Sequence, residues 1–537
     1  MNKQPNVAYF CMEYGLESGF KQYAGGLGIL AGDYLKGAKQ HGFPIVGVGL
    51  MWKQGYTDQM VTEDGEVYDT YHNYKYPFLK DTGVEVCVKI RKMDIYAKVW
   101  KVDCFDNSDL YMLDTDIDKN DGSMRWITGQ LYGWFSEERI AQEMILGIGG
   151  VRALRKLGLD VDIYHFNEGH AVFAGFELIR EYVDSGISYE KALAETKKKT
   201  VFTTHTPVIQ GNESHTLERL MYMGAGNGLT IEQLVGIGGA PFNMTVAALR
   251  ICKMSNAVAK LHGETANKMW AHIDNRCDII GITNAIHLPT WVDNSIINNM
   301  DDPNKLWTSH MDNKRSLIKM VRERNDVELS EDVLTIGFAR RAVAYKRSNF
   351  IFTDRDIIEK LFEQNKIQII FSGRAHPLDD NGKEIIKNLT AMSRLYPDNV
   401  VFLENYDMEI GAALTRGCDI WLNNPRRPKE ASGTSGMKAA MNGVINLSVL
   451  DGWWPEACDH GNNGWQFGDG KEFENDADLD AHDIKALYKV LNEEVIPTYY
   501  DNRPRWIKIM QNSIKSCKDE FAVKRMLDEY YKYLYNA

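Results

Sequence analysis

Short apolar runs alternate with helix-like stretches along most of this 537-residue chain. Residues 161–166 and 201–204 predict strands, with a helix over 170–183 between them. The alternation is clearer further on. Apolar runs at 333–338, 367–371, 400–403, 418–422 and 444–449 predict five strands, most of them separated by helix-like segments such as 409–416. Strands and helices in alternation predict parallel sheets covered on both faces by helices, with binding loops at the carboxyl ends of the strands. A helical pattern covers 256–271, a turn signal falls at 281–284, and a charged, poorly patterned stretch follows to about Arg324. The fold class predicted is therefore α/β, with two Rossmann-like doubly wound domains facing a central cleft. The predicted boundaries are 1–283, 284–517 and a final amphipathic helix, 518–537, able to dock on either domain, the first included. Two such units would bind a ligand in the cleft.

Composition narrows the partners. A formal net charge of -12 argues against nucleic acid, which needs a basic face, but leaves room for a local basic pocket that takes a small phosphate. The eight cysteines include no Cys-x-x-Cys pair, which predicts free thiols in a reducing compartment and no metal site. Residues 1–9 lack the pattern of a signal peptide, and no apolar run approaches the roughly 20 residues of a membrane span. The expectation is a cytoplasmic protein with no membrane partner. The oligomeric state is left open, a homodimer included.

Four segments carry candidate chemistry. Ala24-Gly25-Gly26-Leu27-Gly28 precedes a helix-like stretch, where backbone N–H groups can approach an anion; a tight turn is the plainer explanation. Arg340, Arg341, Lys346 and Arg347, with Tyr345 among them, follow a predicted strand directly and suit one or two phosphates, although a solvated charge run is the commoner origin of such a cluster. Glu430-Ala431-Ser432-Gly433-Thr434-Ser435-Gly436-Met437-Lys438 opens a helix through Met441 with small residues that can hold a phosphate. A lysine so near a helix amino terminus is electrostatically misplaced unless it has a specific task. His165 with Asn167-Glu168-Gly169-His170, and Thr203-Thr204-His205-Thr206-Pro207, follow two predicted strands; each histidine alone reads equally as a core residue.

Taken in order, these segments resemble the glycogen or α-glucan phosphorylase family over about residues 7–456. The segment from Glu430 to Lys438, extended through Asn442 and Gly443, is similar to the family's pyridoxal-phosphate segment. The glycine loop, Thr-His-Thr-Pro, Asn284 and the Arg-Arg-(x)₃-Tyr-Lys-Arg run match as well. The chain resembles the compact prokaryotic branch, without the long N-terminal regulatory extension of the animal enzymes.

The resemblance implies a GT-B-like glycosyltransferase fold, with a glucosyl-binding first domain and a cofactor-binding second. It implies phosphorolysis of the non-reducing-end α-1,4-linked glucose of glycogen, starch or maltodextrin, giving α-glucose 1-phosphate with retention. The cofactor implied is pyridoxal 5'-phosphate, tethered to Lys438 as a Schiff base and used through its phosphate as acid and base. Thr434, Ser435, Arg340 and Lys346 would hold that phosphate. Arg341, helped by Gly25 and Gly26, would face the substrate phosphate. Glu430, Ser432, Gly433, His205, Asn284 and Tyr345 would bind the sugar, with Glu168 and His170 beside them; Arg341, Lys346 and His205 carry the catalytic roles. The segment departs from the family in Arg340, where a lysine is common, in Gly15, where an aromatic residue is common, and in reading Thr-Ser-Gly-Met-Lys. Two alternatives stay open: a nucleotide-sugar glucosyltransferase of the glycogen synthase type, and a non-catalytic glucan-binding homologue.

Overall fold

The computed structural model describes residues 4–132, 136–208 and 211–537; residues 1–3, where the reading of the amino terminus began, lie outside them. The chain divides into two units. The first comprises 1–56, 71–283 and 523–537, and the second 57–70 and 284–522.

The first unit is built on a nine-stranded sheet. Its strands run in the order Ile279–Gly281, Met254–Ala257, Thr200–Thr204, Ile163–Asn167, Val7–Phe10, Ile45–Leu50, Leu110–Asp114, Met93–Val102 and Lys80–Ile90. The first seven are parallel and the last two antiparallel. Val7–Phe10 lies at the point where the winding reverses, between Ile163–Asn167 and Ile45–Leu50. Loops leaving the carboxyl ends of strands at such a reversal diverge to opposite faces and open a crevice between them. The loop after Val7–Phe10 leads to the glycines at 25 and 26, and the loop after Ile163–Asn167 carries Glu168 and His170.

The second unit carries a six-stranded, all-parallel sheet in the order Val400–Leu403, Ile367–Ser372, Leu334–Ala339, Ile420–Asn423, Ile445–Ser448, Trp465–Gln466. Its winding reverses between Leu334–Ala339 and Ile420–Asn423. These two strands pair only through Ile336 with Ile420 and Gly337 with Trp421. A buried ionic cluster holds them together. Asp419 accepts hydrogen bonds from the Thr335 N–H at 2.7 Å and from Lys314 Nζ at 2.6 Å, with His310 Nε2 2.9 Å away. Burial alone would raise this carboxyl, but Lys314 and His310 hold it down at about 2.

The structure differs from the sequence pattern in three places. The helix predicted over 256–271 is split: Met254–Ala257 is a strand and the helix runs Lys260–Met269. Ser255, Asn256 and Ala257 are fully buried between two flanking strands, and the Thr203 hydroxyl donates to Asn256 Oδ1 at 2.6 Å. Pairing on both edges overrides the local period. The poorly patterned region before Arg324 contains a 23-residue helix, Pro303–Asn325, with Asp302 capping the N–H groups of Asn304 and Lys305. Its inward face includes His310 and Lys314, which reads as polar because its partner is Asp419. Finally, the hairpin Asp58–Val61/Val67–Thr70 belongs to the second unit, although the sequence pattern kept 1–283 together. There Arg374 donates to the Thr57 carbonyl at 2.8 Å and the Ala375 N–H to Gln59 Oε1 at 2.8 Å. The carboxyl-terminal piece of the first unit starts at Val523, and Tyr535 sets its hydroxyl 2.7 Å from Nδ1 of His165.

Candidate active site

In the second unit, the loops at the winding reversal bring Arg340, Lys346 and Glu430 together. Arg340 follows the last residue of strand Leu334–Ala339, all six of whose residues are buried. Its guanidinium donates to Asn423 and to Glu430. Lys346 Nζ reaches Glu430 Oε1 at 2.8 Å and Oε2 at 2.6 Å. Burial pushes the Glu430 carboxyl up, but the two cations outweigh it and leave the group below the ordinary range. Burial, and then Arg340, bring the Lys346 ammonium down to about 8. Two cations and one anion in a dry site leave room for further negative charge.

The other members of the basic run have different surroundings. Arg347 is scaffold. It donates to the carbonyls of Asn424 at 2.7 Å and Pro425 at 3.0 Å, and pairs with Asp480 and Asp483 at 2.8 Å each. It thereby ties the two loops to one another. Arg341 is exposed and has no hydrogen bond or ion pair among the described residues. The Tyr345 ring lies 5.1 Å from Lys346 Nζ, and burial raises its hydroxyl well above the ordinary range.

Past Glu430 the chain enters the helix Thr434–Met441 through Gly433, whose φ of 89° suits a residue without Cβ. No side chain caps this helix, so its first N–H groups remain available to an anion. Gly436 is fixed by contact, since a Cβ there would lie 2.7 Å from Asn446 Oδ1 and 2.9 Å from Trp453 Nε1. Lys438 is 5% exposed, with Nζ 3.2 Å from the centre of the Trp291 ring. An aromatic face offsets part of the cost of keeping an ammonium there. Ser432 Oγ is buried without a hydrogen-bond partner among the described residues. A buried amine, an uncapped helix start, an orphaned hydroxyl and two nearby cations suit a lysine-tethered cofactor that carries a phosphate. Asn284 is buried in this unit.

In the first unit, Glu13 organises the glycine loop. Its Oε2 accepts from the N–H groups of Ala24 at 2.6 Å and Gly25 at 3.0 Å, and its Oε1 from the Tyr132 hydroxyl. The Gly25 N–H is thus occupied, whereas Gly26 N–H, at the start of helix Gly26–His41, has no acceptor among the described residues. No heavy atom lies within 4 Å of a Cβ built on either glycine. Gly15 is explained by close packing: a Cβ there would lie 2.8 Å from Ile29 Cδ1 and 3.2 Å from Ile29 Cα of that helix.

Glu168 has a φ of 69°, unusual for a residue with a side chain. The conformation is held because Glu168 Oε1 accepts from the His205 N–H and from Thr206 Oγ1, and Oε2 from Gly169 N–H. His205 Nε2 lies 2.6 Å from Asn167 Oδ1. That oxygen only accepts, so Nε2 carries the proton and Nδ1 keeps a lone pair. Burial brings His205 down to about 3, so its ring is neutral at physiological pH. His165 is satisfied in the core by Tyr535 and Thr203. His170 faces the Tyr132 ring at 5.7 Å.

Sequence patterns missed Glu13, Tyr132, Trp291 and Asp451. Asp451 accepts from the Glu430 N–H at 2.9 Å and the Gly452 N–H at 2.8 Å. Burial and the Glu430 charge push it up to about 7. Its signal was local, in Asp451-Gly452-Trp453-Trp454, where both tryptophans are 1% exposed core residues. Among the described residues no helix is long and apolar enough to cross a membrane.

Comparison with known proteins adds an independent line. A family model described as carbohydrate phosphorylase matches residues 294–534. A maltodextrin phosphorylase of Thermococcus litoralis is 38% identical over 99% of this chain and 70% of its own length. A glycogen phosphorylase of Aquifex aeolicus is 35% identical over 99% of this chain and 86% of its own. An uncharacterized protein of Methanocaldococcus jannaschii is 36% identical, over 98% of this chain and 99% of its own length.

Proposed function

The chain belongs to the carbohydrate phosphorylase family, and from that premise we propose that it is an α-glucan phosphorylase whose second unit holds the cofactor and substrate phosphates. The reaction moves the glucosyl unit at the non-reducing end of an α-1,4-glucan onto inorganic phosphate, with retention, and releases α-glucose 1-phosphate. The single observation that supports the assignment of the site is the buried Arg340–Glu430–Lys346 cluster beside an uncapped helix that bears a buried lysine.

Pyridoxal 5'-phosphate is the cofactor of this family. In this chain Lys438 would tether it, and the Thr434 and Ser435 N–H groups, with Arg340 and Lys346, would hold its phosphate. When bound, the cofactor supplies a phosphate that gives and takes a proton at the substrate phosphate. The chain's own residues do the rest. Arg341, with no hydrogen bond or ion pair among the described residues, would bind inorganic phosphate, and the Gly26 N–H is the first unit's own candidate donor to an anion. Lys346 neutralises the repulsion between two anions held together in a site of low dielectric. Glu430, with Ser432 and Gly433, binds sugar hydroxyls. Glu168, His170 and His205 in the first unit, and Asn284 and Tyr345 in the second, would each offer groups to the sugar, His205 its neutral ring and main-chain carbonyl.

Cleavage builds positive charge on the anomeric carbon. A phosphate held close by these cations stabilises that charge and then attacks the same carbon. The glycosidic oxygen leaves with a proton that has come by way of the substrate phosphate.

Two measurements test this reading. The protein should release glucose 1-phosphate from glycogen, starch or maltodextrins when phosphate and pyridoxal 5'-phosphate are present. No release from any of the three would overturn it. Arg341→Ala should leave stability within about 0.5 kcal/mol, as for exposed residues away from packing, and should raise the KM for phosphate by roughly 10- to 100-fold. An unchanged phosphate dependence would remove Arg341 from the site.

A further inference from the structure

Beyond the phosphate and sugar residues, the first unit contains a second cluster of chemically competent side chains. Glu143 comes from the helix Ser136–Met144, His170 from the turn Gly169–Ala171, Glu213 from the segment before the short strand Ser214–His215, and His215 from that strand. Glu143, His170 and Glu213 each present a ligand atom, and the three lie within 4.8 Å of one another. His215 Nε2 stands 3.4 Å from Glu213 Oε1 and 3.7 Å from Glu143 Oε2. Ligands about 2.0–2.1 Å from a tetrahedral zinc ion stand roughly 3.3 Å apart, so side chains whose ligand atoms lie within 4.8 Å of one another would close in on an ion.

The cluster has unmet bonding capacity. Glu143 is fully buried, and no donor group among the described residues reaches its oxygens; its carboxyl is set against that of Glu213, close enough to share a proton. His170 Nδ1 and His215 Nε2 have no hydrogen-bond partner among the described residues. A buried carboxylate left in this state costs free energy unless a cation or a proton satisfies it. One cation is present. Arg139 sets Nε 3.6 Å from Glu213 Oε1 while its guanidinium lies over the Tyr132 ring. It balances one of the two carboxylates and leaves the other.

We propose that Glu143, His170 and Glu213, with His215 beside them, form a binding site for one zinc-type divalent cation, which fastens the segment after the Thr-His-Thr-Pro loop to the helix Ser136–Met144. The donor set of one imidazole and two carboxylates is one that such ions accept, with the fourth position left to water or to a turn of the His215 ring. Burial supports it. The His170 imidazole is brought down to about 3 and that of His215 is lowered, so both remain neutral. Burial raises Glu143 to about 7, and burial together with the Glu143 charge raises Glu213 to about 8.

The test is direct metal binding. Protein stripped with a chelator is titrated with Zn²⁺ by calorimetry and with Co²⁺ by absorption. The expected result is one equivalent bound, with a tetrahedral Co²⁺ spectrum lacking the thiolate charge-transfer band that any of the eight cysteines would produce. Glu143→Gln and Glu213→Gln should each weaken binding at least ~10-fold. The inference is overturned if the wild-type protein takes up no ion, or if the Glu143→Gln/Glu213→Gln protein binds as tightly as wild type. In the first case the two carboxyls share a proton instead. The readout is independent of phosphorolysis, so a protein inactive on glucans still gives a decisive answer.

Discussion

Lys438→Ala is expected to abolish glucose 1-phosphate release and the absorbance of the bound cofactor while the protein stays folded. The prediction follows from where the amine is. It sits in a buried position over the Trp291 ring, in the short helix that opens at Gly433. An ammonium that served only solubility would be in water, and a buried one without a task pays desolvation for nothing. The losses in turnover should exceed the roughly 10²–10³-fold that a single misplaced hydrogen-bond donor costs, because the cofactor's phosphate is lost with the tether. Lys438→Arg is the companion variant. It keeps a cation over the indole but cannot make the covalent link, so its far-UV circular dichroism and melting temperature should match the wild type while turnover is lost. Normal turnover in either variant would end the assignment of Lys438 as the tether.

The parallel sheets were legible because their strands are buried on both faces. Val400–Leu403, Ile420–Asn423 and Ile445–Ser448 read as plain apolar runs, and no competing period disguises them. Met254–Ala257 was not legible, since a strand made of Ser255, Asn256 and Ala257 acquires its identity from two neighbours far away in sequence. The helix from Pro303 hid for a related reason: its buried face is partly charged, and only Asp419 makes that sensible.

The candidate site shows the same division. Loops that follow strands were visible as glycine, basic and small-residue segments. Which member of a basic run does what was not visible. Arg340 and Lys346 are committed to Glu430, 90 and 84 residues away. Arg347 is committed to carbonyls and aspartates that fix the scaffold, and Arg341 remains exposed. Glu13 gave no local signal either, because its role is to receive N–H groups from a loop eleven and twelve residues on. The Glu143, His170, Glu213 and His215 cluster has no motif spacing at all; only the fold assembles it.

Lys346 should carry the alkaline limb of the pH profile. Its ammonium is brought down to about 8 by burial and by Arg340, so the cation that stabilises two phosphates is lost as pH rises through that value. The kcat/KM for phosphate reports the free enzyme and should fall about tenfold per unit above pH ~8. Unfolding can be separated from this effect by sign. The folded-state value lies below that of an unfolded lysine, so between about 8 and about 10.4 the unfolded chain binds more protons and this group makes stability rise with pH. Activity lost over the first part of that interval, with the melting temperature steady or rising, identifies deprotonation as the cause. Lys346→Met should lower kcat/KM for phosphate by roughly 10²–10³-fold, since Glu430 then keeps Arg340 to itself and Arg341 alone is left to answer two phosphates. Lys346→Arg should retain part of the activity and shift the alkaline limb out of the accessible range, because a guanidinium does not titrate there. A limb near 8 that persists in the arginine variant would assign that ionisation to another group.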